Sequence, residues 1–144
     1  MFFAICQGIG LAIAAGMLAG SLAYLGERRQ WLLALAGVAG GVLFAASLAP
    51  ETSVAWIGIV PGAPLAVLSM TLTDSVVSGA RQRAEADPSS VSLMVAGAAV
   101  LLALISLPSY ICVLALLAGG AFLWLGLSRR SREGRKHEGL RSLR

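Results

Sequence analysis

Six hydroxyl- or carboxyl-bearing side chains crowd one otherwise apolar stretch: Ser69, Thr71, Thr73, Asp74, Ser75 and Ser78, within 64–82. Read as a helix, this stretch puts Thr71, Asp74, Ser75, Ser78 and Gln82 on one face, at spacings of three and four. A carboxylate flanked by hydroxyls can bind a cation or pass a proton, the hydroxyls completing the coordination or the relay. Inside a bilayer it costs about 2.5 to 3.5 kcal/mol, so it should face other helices or water. Gln7 is a candidate partner from another segment. The competing role is structural: the carboxylate caps a backbone or bonds a neighbouring helix. Its depth is open as well. A helix starting at 63–65 puts Asp74 slightly past mid-span, whereas a segment running from Trp56 to Thr73 puts it at the interface.

Other chemistry has little to stand on. Two cysteines make no disulfide framework, and no Cys/His cluster has metal-ligand spacing. Five alternating spans would put Cys6 and Cys112 at similar depth on one side, where either an oxidised pair or two small buried side chains is conceivable. His137, the single histidine, lies in a charged tail that favours simple solvation. The glycines of QGIGLAIAAG imitate a nucleotide-loop spacing, but no strand precedes them. No Ser/His/Asp set or carboxylate pair is evident, so neither catalysis nor a cofactor is expected.

The elements that must hold these residues are membrane helices. The chain has 144 residues, of which 58% are apolar and 12% charged, and its mean hydropathy is +0.84. Charged residues make up about a quarter of a soluble domain. The expected fold is all-α, a polytopic transmembrane helix bundle. Its five spans run over about 2–25, 31–49, 63–80, 91–107 and 109–127, each near the ~17–25 residues a bilayer requires. Residues 1–127 form the bundle and 128–144 a basic tail. The first span lacks a charged leader and outruns a cleavable signal core, so it is expected to stay in the mature protein.

Small residues mark the packing faces. Gly8, Ala12, Gly16 and Gly20 recur every four positions in the first span, and Gly37, Gly41 and Ala45 do so in the second, with Ala36 and Gly40 beside them. Such faces let backbones approach closely in lipid, so the first two spans are expected to form an antiparallel hairpin. Trp31 opens the second span where an interfacial aromatic belongs. Pro50 to Gly62 reads as an interfacial loop, and the prolines at 61 and 64 suggest a late helix start.

Charge placement tests the span count. With five spans, the turn at 26–30, the loop at 81–90 and the tail share one side and hold all 11 Lys/Arg of the chain. The positive-inside rule then puts the N-terminus outside and the tail in the cytoplasm, and a four-span arrangement would break that pattern. The tail carries seven Lys/Arg against Glu133 and Glu138. Arg129, Arg130, Arg132, Arg135 and Lys136 are the candidates for anionic headgroups, at about 1 kcal/mol per basic residue, although fixing orientation alone would also explain them. With the basic residues flanking membrane segments, the partners expected are the lipid bilayer and a homo-oligomer or membrane partner, with no nucleic acid.

On QGIGLAIAAG at 7–16, LAVLSMTLTDSVVSGA at 65–80 and GRKHEGLRSLR at 134–144, the chain resembles the domain-of-unknown-function 4126 family. These are small multi-pass bacterial membrane proteins without an established activity. The resemblance implies a bacterial inner membrane. Met17 and Leu18 stand where the family favours an arginine after the Ala-Gly pair, so no role of that charge carries over. Two functions are open at this point. One is a small cation- or proton-linked transporter or channel component using the Asp74 face. The other is a non-transporting scaffold, or lipid- or partner-binding protein, packed through its glycine faces.

Overall fold

The computed structural model describes residues 2–22, 29–51, 53, 55–83, 88–108 and 111–141. Five α-helices follow in order: α1 (Phe2–Leu22), α2 (Arg29–Leu48), α3 (Ile59–Arg83), α4 (Pro88–Ser106) and α5 (Cys112–Arg141), with a 3-10 turn at Ala55–Gly58 leading into α3. No strand occurs among the described residues. Helices satisfy every interior backbone group internally, which apolar segments this long require once water is withdrawn. The stretches Phe2–Leu22, Arg29–Leu48 and Trp56–Ala80 are long and apolar enough to cross a membrane. The apolar parts of the other two helices, Ser90–Ser106 and Cys112–Ser128, are shorter. Each rises roughly 25 Å at 1.5 Å per residue.

Two boundaries differ from expectation for identifiable reasons. The third helix begins at Ile59, not at 63–65, and takes both prolines into its first turns. Pro61 is its third residue, where the missing N–H would have had no intrahelical acceptor. Pro64, the sixth, only leaves the Val60 carbonyl without its usual donor. At the other end of the chain, α5 does not stop at 127 but runs on through the basic segment to Arg141. Pro108 ends α4 as expected, and its carbonyl accepts from the Ile111 and Cys112 N–H groups at 3.1 Å each, starting α5.

α1 is the axis of the bundle, with 11 of its 21 residues buried. Its contacts fix the direction of every neighbour. Gly8 meets Phe44 and Ser47 while Ala12 meets Gly40, so α2 runs antiparallel. Gly16 meets Ala66 and Ser69 while Gly20 meets Met70 and Thr73, so α3 runs parallel. Gly10 meets Ser106 and the Ser92 hydroxyl donates to the Ser21 carbonyl, which makes α4 antiparallel. Gly10 also faces Ala115, and Ile13 faces Gly119, which makes α5 parallel. Three helices therefore run one way and two the other, in strict alternation.

The stripe of small residues on α1 serves two partners in turn. Each four-residue step overshoots a helical turn by about 40°, so the stripe rotates by roughly 120° between Gly8 and Gly20. It leaves α2 after Ala12 and reaches α3 at Gly16. Apolar clusters fill the remaining gaps: Ala4, Ala12, Phe44 and Leu48 between α1 and α2, and Ile13, Met17, Ala99, Leu102 and Ala115 where α4 and α5 join α1. The outside is apolar too, with Val38, Val42, Leu93, Leu101, Leu104, Leu114 and Leu117 exposed, as a lipid-facing surface requires.

Candidate functional site

Asp74 lies near one end of the bundle, not at its middle. Thr73 packs on Gly20, two residues from the end of α1, and the Asp74 carboxylate meets the Arg29 guanidinium at 3.2 Å, with Arg29 opening α2. Exposed Trp31 marks the same level on α2, and Trp56 with Phe2 and Phe3 marks the far end. The two aromatic levels are about 17 residues of α1 apart, roughly 25 Å. That spacing suits aromatic belts at two headgroup layers. The early start of α3 accounts for this position, because moving the first turn back to Ile59 slides Asp74 toward the interface. Of the two placements, the position of Asp74 along the bundle is the one nearer a helix-bundle end.

The ion pair is half-solvated, with the Arg29 side chain 57% exposed and that of Asp74 29%. In such surroundings a pair contributes about 0–1 kcal/mol. It joins the start of α2 to α3 and gives the carboxylate a cationic partner. The neighbouring hydroxyls turn to their own helix: Thr71 donates to the Leu68 carbonyl at 2.9 Å, Ser75 to Leu72 at 2.7 Å and Ser78 to Ser75 at 3.1 Å. Such back-bonds satisfy a hydroxyl inside an apolar helix without a second helix. The shared face exists, but its hydroxyls do not form a relay with Asp74 through these bonds.

Gln7 is far from this group. Its side-chain amide donates to the Leu107 carbonyl at 3.3 Å, about 13 residues of α1, or ~20 Å, from the level of Gly20. It ties α1 to the α4–α5 connection, so the expected Gln7–Asp74 partnership is not formed.

The helix-bridging polar residues are others. The inward stripe of α3 is Ala66, Ser69, Met70, Thr73 and Val77, all at most 3% exposed. Ser69 donates to the Ile13 carbonyl of α1 at 2.9 Å, and Ser92 of α4 donates to Ser21. Thr73 differs from both: its hydroxyl is fully buried and has no hydrogen-bond partner among the described residues. Spacing alone could have singled out 66, 69, 70, 73 and 77, a regular helical stripe. Asp74 drew attention one residue away from it.

Backbones approach closely along the small residues, at Gly8, Gly16 and Gly20 of α1 and at Gly40 of α2. A Cβ on Gly16 would overlap the Ala66 carbonyl oxygen, and on Gly20 it would stand 2.7 Å from the Thr73 Cβ. On Gly8 it would meet the Ser47 hydroxyl at 2.6 Å. Gly37 and Gly41 are looser, with nearest neighbours at 3.4 and 3.1 Å. The tightest crossing on α2 is instead Gly40 against Ala66 and Gly62.

Among the described residues every Lys and Arg is at the Asp74 end or beyond it: Arg29 at the start of α2, Arg81 and Arg83 at the end of α3, and Arg129, Arg130, Arg132, Arg135, Lys136 and Arg141 along the last turns of α5. At the opposite end Cys6 and Cys112 come together. Both are buried thiols within hydrogen-bonding reach of each other, and the Cys112 thiol also approaches the Phe3 carbonyl at 3.9 Å.

Two surface grooves are apolar. One, of about 410 Å³, runs over α1 between α2 and α4 and is lined by Leu11, Ala15, Leu18, Leu35, Ala39 and Ala103 among others. The second, of about 300 Å³, lies where Ile5, Ile9, Phe44 and Ile57 meet. No group of three or more His, Cys, Asp or Glu side chains that could hold a metal ion occurs among the described residues. Comparison with protein-family models, with curated proteins and with solved structures returned no match.

Proposed function

We propose that this chain is a non-transporting membrane bundle, a scaffold or lipid- and partner-binding protein held together by glycine-mediated helix crossings. The carrying observation is the state of Asp74. Its carboxylate is engaged by Arg29 near one end of the bundle, and Thr71, Ser75 and Ser78 spend their hydroxyls on their own helix. A carboxylate so paired holds the ends of α2 and α3 in register instead of waiting for a cargo ion. All five helices cross the bilayer in this reading, with the N-terminus outside and the basic end of α5 in the cytoplasm, where Arg129, Arg130, Arg132, Arg135 and Lys136 meet anionic headgroups. The bilayer and a second copy or membrane partner are its partners. The resemblance to the domain-of-unknown-function 4126 family supports a bacterial inner membrane.

One observation favours the other reading, a cation- or proton-linked transporter or channel component: the fully buried Thr73 hydroxyl, next to Asp74 in sequence, lacks a partner among the described residues. Reconstitution into liposomes separates the two. The scaffold reading expects proton and alkali-cation flux no greater than that of empty vesicles, for the wild type and Asp74→Asn alike. Flux in the wild type that Asp74→Asn abolishes, with the fold intact, would establish transport.

A further inference from the structure

The two cysteines of the chain are 106 positions apart and belong to different helices, yet the fold brings them to one spot. Their meeting follows from the register of two parallel helices. One turn further into the bundle, a Cβ on Gly10 would stand 3.5 Å from the Cβ of Ala115. One turn beyond that, a Cβ on Gly119 would meet the Ile13 side chain at 2.8 Å. Stepping back one turn along each helix from Gly10 and Ala115 arrives at Cys6 and Cys112. A Cβ separation near 3.5 Å is within the span a disulfide bridges. Both residues are buried, at 2% and 0% exposure, and both are within two turns of a helix start, at the end of the bundle away from every described Lys and Arg.

We infer that Cys6 and Cys112 are a disulfide-forming pair that staples α1 to α5 on the non-cytoplasmic side of the membrane. The oxidant is a disulfide-carrying thiol oxidant. The thiolate of one cysteine attacks a sulfur of the oxidant, forming a mixed disulfide and releasing one oxidant thiolate. The second cysteine, as its thiolate, then attacks the mixed disulfide at the sulfur of the first, forming the Cys6–Cys112 bond and expelling the second oxidant thiolate. Two electrons pass from the cysteines to the oxidant, and the two protons leave to water or to the released thiolates. The side on which this occurs rests on the proposed topology, since oxidised pairs persist outside the cytoplasm and not within it. The pairing itself rests on the register alone.

The full-length protein, reduced and purified in mild detergent, is treated with oxidised glutathione, both folded and while refolding from denaturing detergent, where burial no longer protects the thiols. Intact mass and maleimide labelling after denaturation then count the thiols. The pair is expected to lose both labelled thiols and two hydrogens in mass, with no retained glutathione, while Cys6→Ser retains a glutathione adduct on Cys112. Persistence of both thiols under both conditions, or accumulation of mixed glutathione adducts in the wild type, would overturn the pairing. The same count on cells trapped with acid tests the side. Two masked thiols support the non-cytoplasmic location. Two reactive thiols in cells, from a protein that forms the bond readily once purified, would overturn the orientation and leave the pair standing.

Discussion

The two halves of this bundle use glycine in opposite ways. In α1–α3 most glycines are at the crossings themselves, Gly79 with no neighbour within 4 Å being the exception: Gly16 and Gly40 both abut Ala66, Gly62 faces the Gly40 carbonyl at 2.7 Å, and Gly58 meets the Ala45 backbone at 3.0 Å. Backbone meets backbone there, and nothing can move aside. In α4 and the outer side of α5, Gly97 and Gly120 have no neighbour within 4 Å of an added Cβ. Gly119 meets only the flexible end of Ile13. Glycine occurs in both halves, so glycine content by itself does not reveal where a membrane bundle is rigid. The register of the crossing does.

Substitutions can break this comparison, beginning with the strongest. Gly16→Ala and Gly40→Ala drive a methyl into backbone or an immovable Cβ and are expected to cost about 3 kcal/mol each, at the upper end of overpacking penalties. Reversible unfolding in a denaturing-detergent titration measures the loss. Gly119→Ala should cost about 1 kcal/mol, and Ile13→Val, which removes the offending Cδ1, should recover part of it in a double-mutant cycle. Arg29→Ala should cost under about 1 kcal/mol by the same titration, and less in high salt, because the ion pair is half-solvated. Smallest, and opposite in sign, are Gly97→Ala and Gly120→Ala. With open space around them they should be neutral or stabilising by about 0.5 kcal/mol, through helix propensity. A cost there equal to that of Gly16→Ala would erase the contrast between the halves.

Much of this was legible in the residues and some was not. Apolar run lengths and the Pro108 break revealed five helices, because a bilayer leaves the backbone no alternative. The α1 stripe was legible as a packing face, but its division between α2 and α3 was not. That division arises from the angular drift of a four-residue repeat, which a flat pattern of letters conceals. Asp74 was legible as the acid inside a hydrophobic block, and its depth was not. Depth hung on whether Pro61 and Pro64 would start a helix or be absorbed by one, and early positions absorb proline at little cost. Gln7 could be paired with Asp74 only while the register of α3 along α1 was unknown. Ser69 and Thr73 were noted in the polar stretch but given no role, because a charge drew attention to the adjacent stripe, although small hydroxyls on an inward helical face are what lipid-embedded crossings favour.

Single cysteines at 51 and 82, introduced separately with Cys6 and Cys112 changed to serine, test the alternating arrangement most directly. Both native side chains are exposed, Glu51 just beyond α2 and Gln82 in the last turn of α3, at opposite ends of the bundle. With membrane-impermeant maleimide on intact cells and inverted vesicles, Glu51→Cys is expected to label only from outside and Gln82→Cys only from the cytoplasm. Labelling of both positions from the same compartment would contradict a bundle whose helices alternate in direction across the membrane.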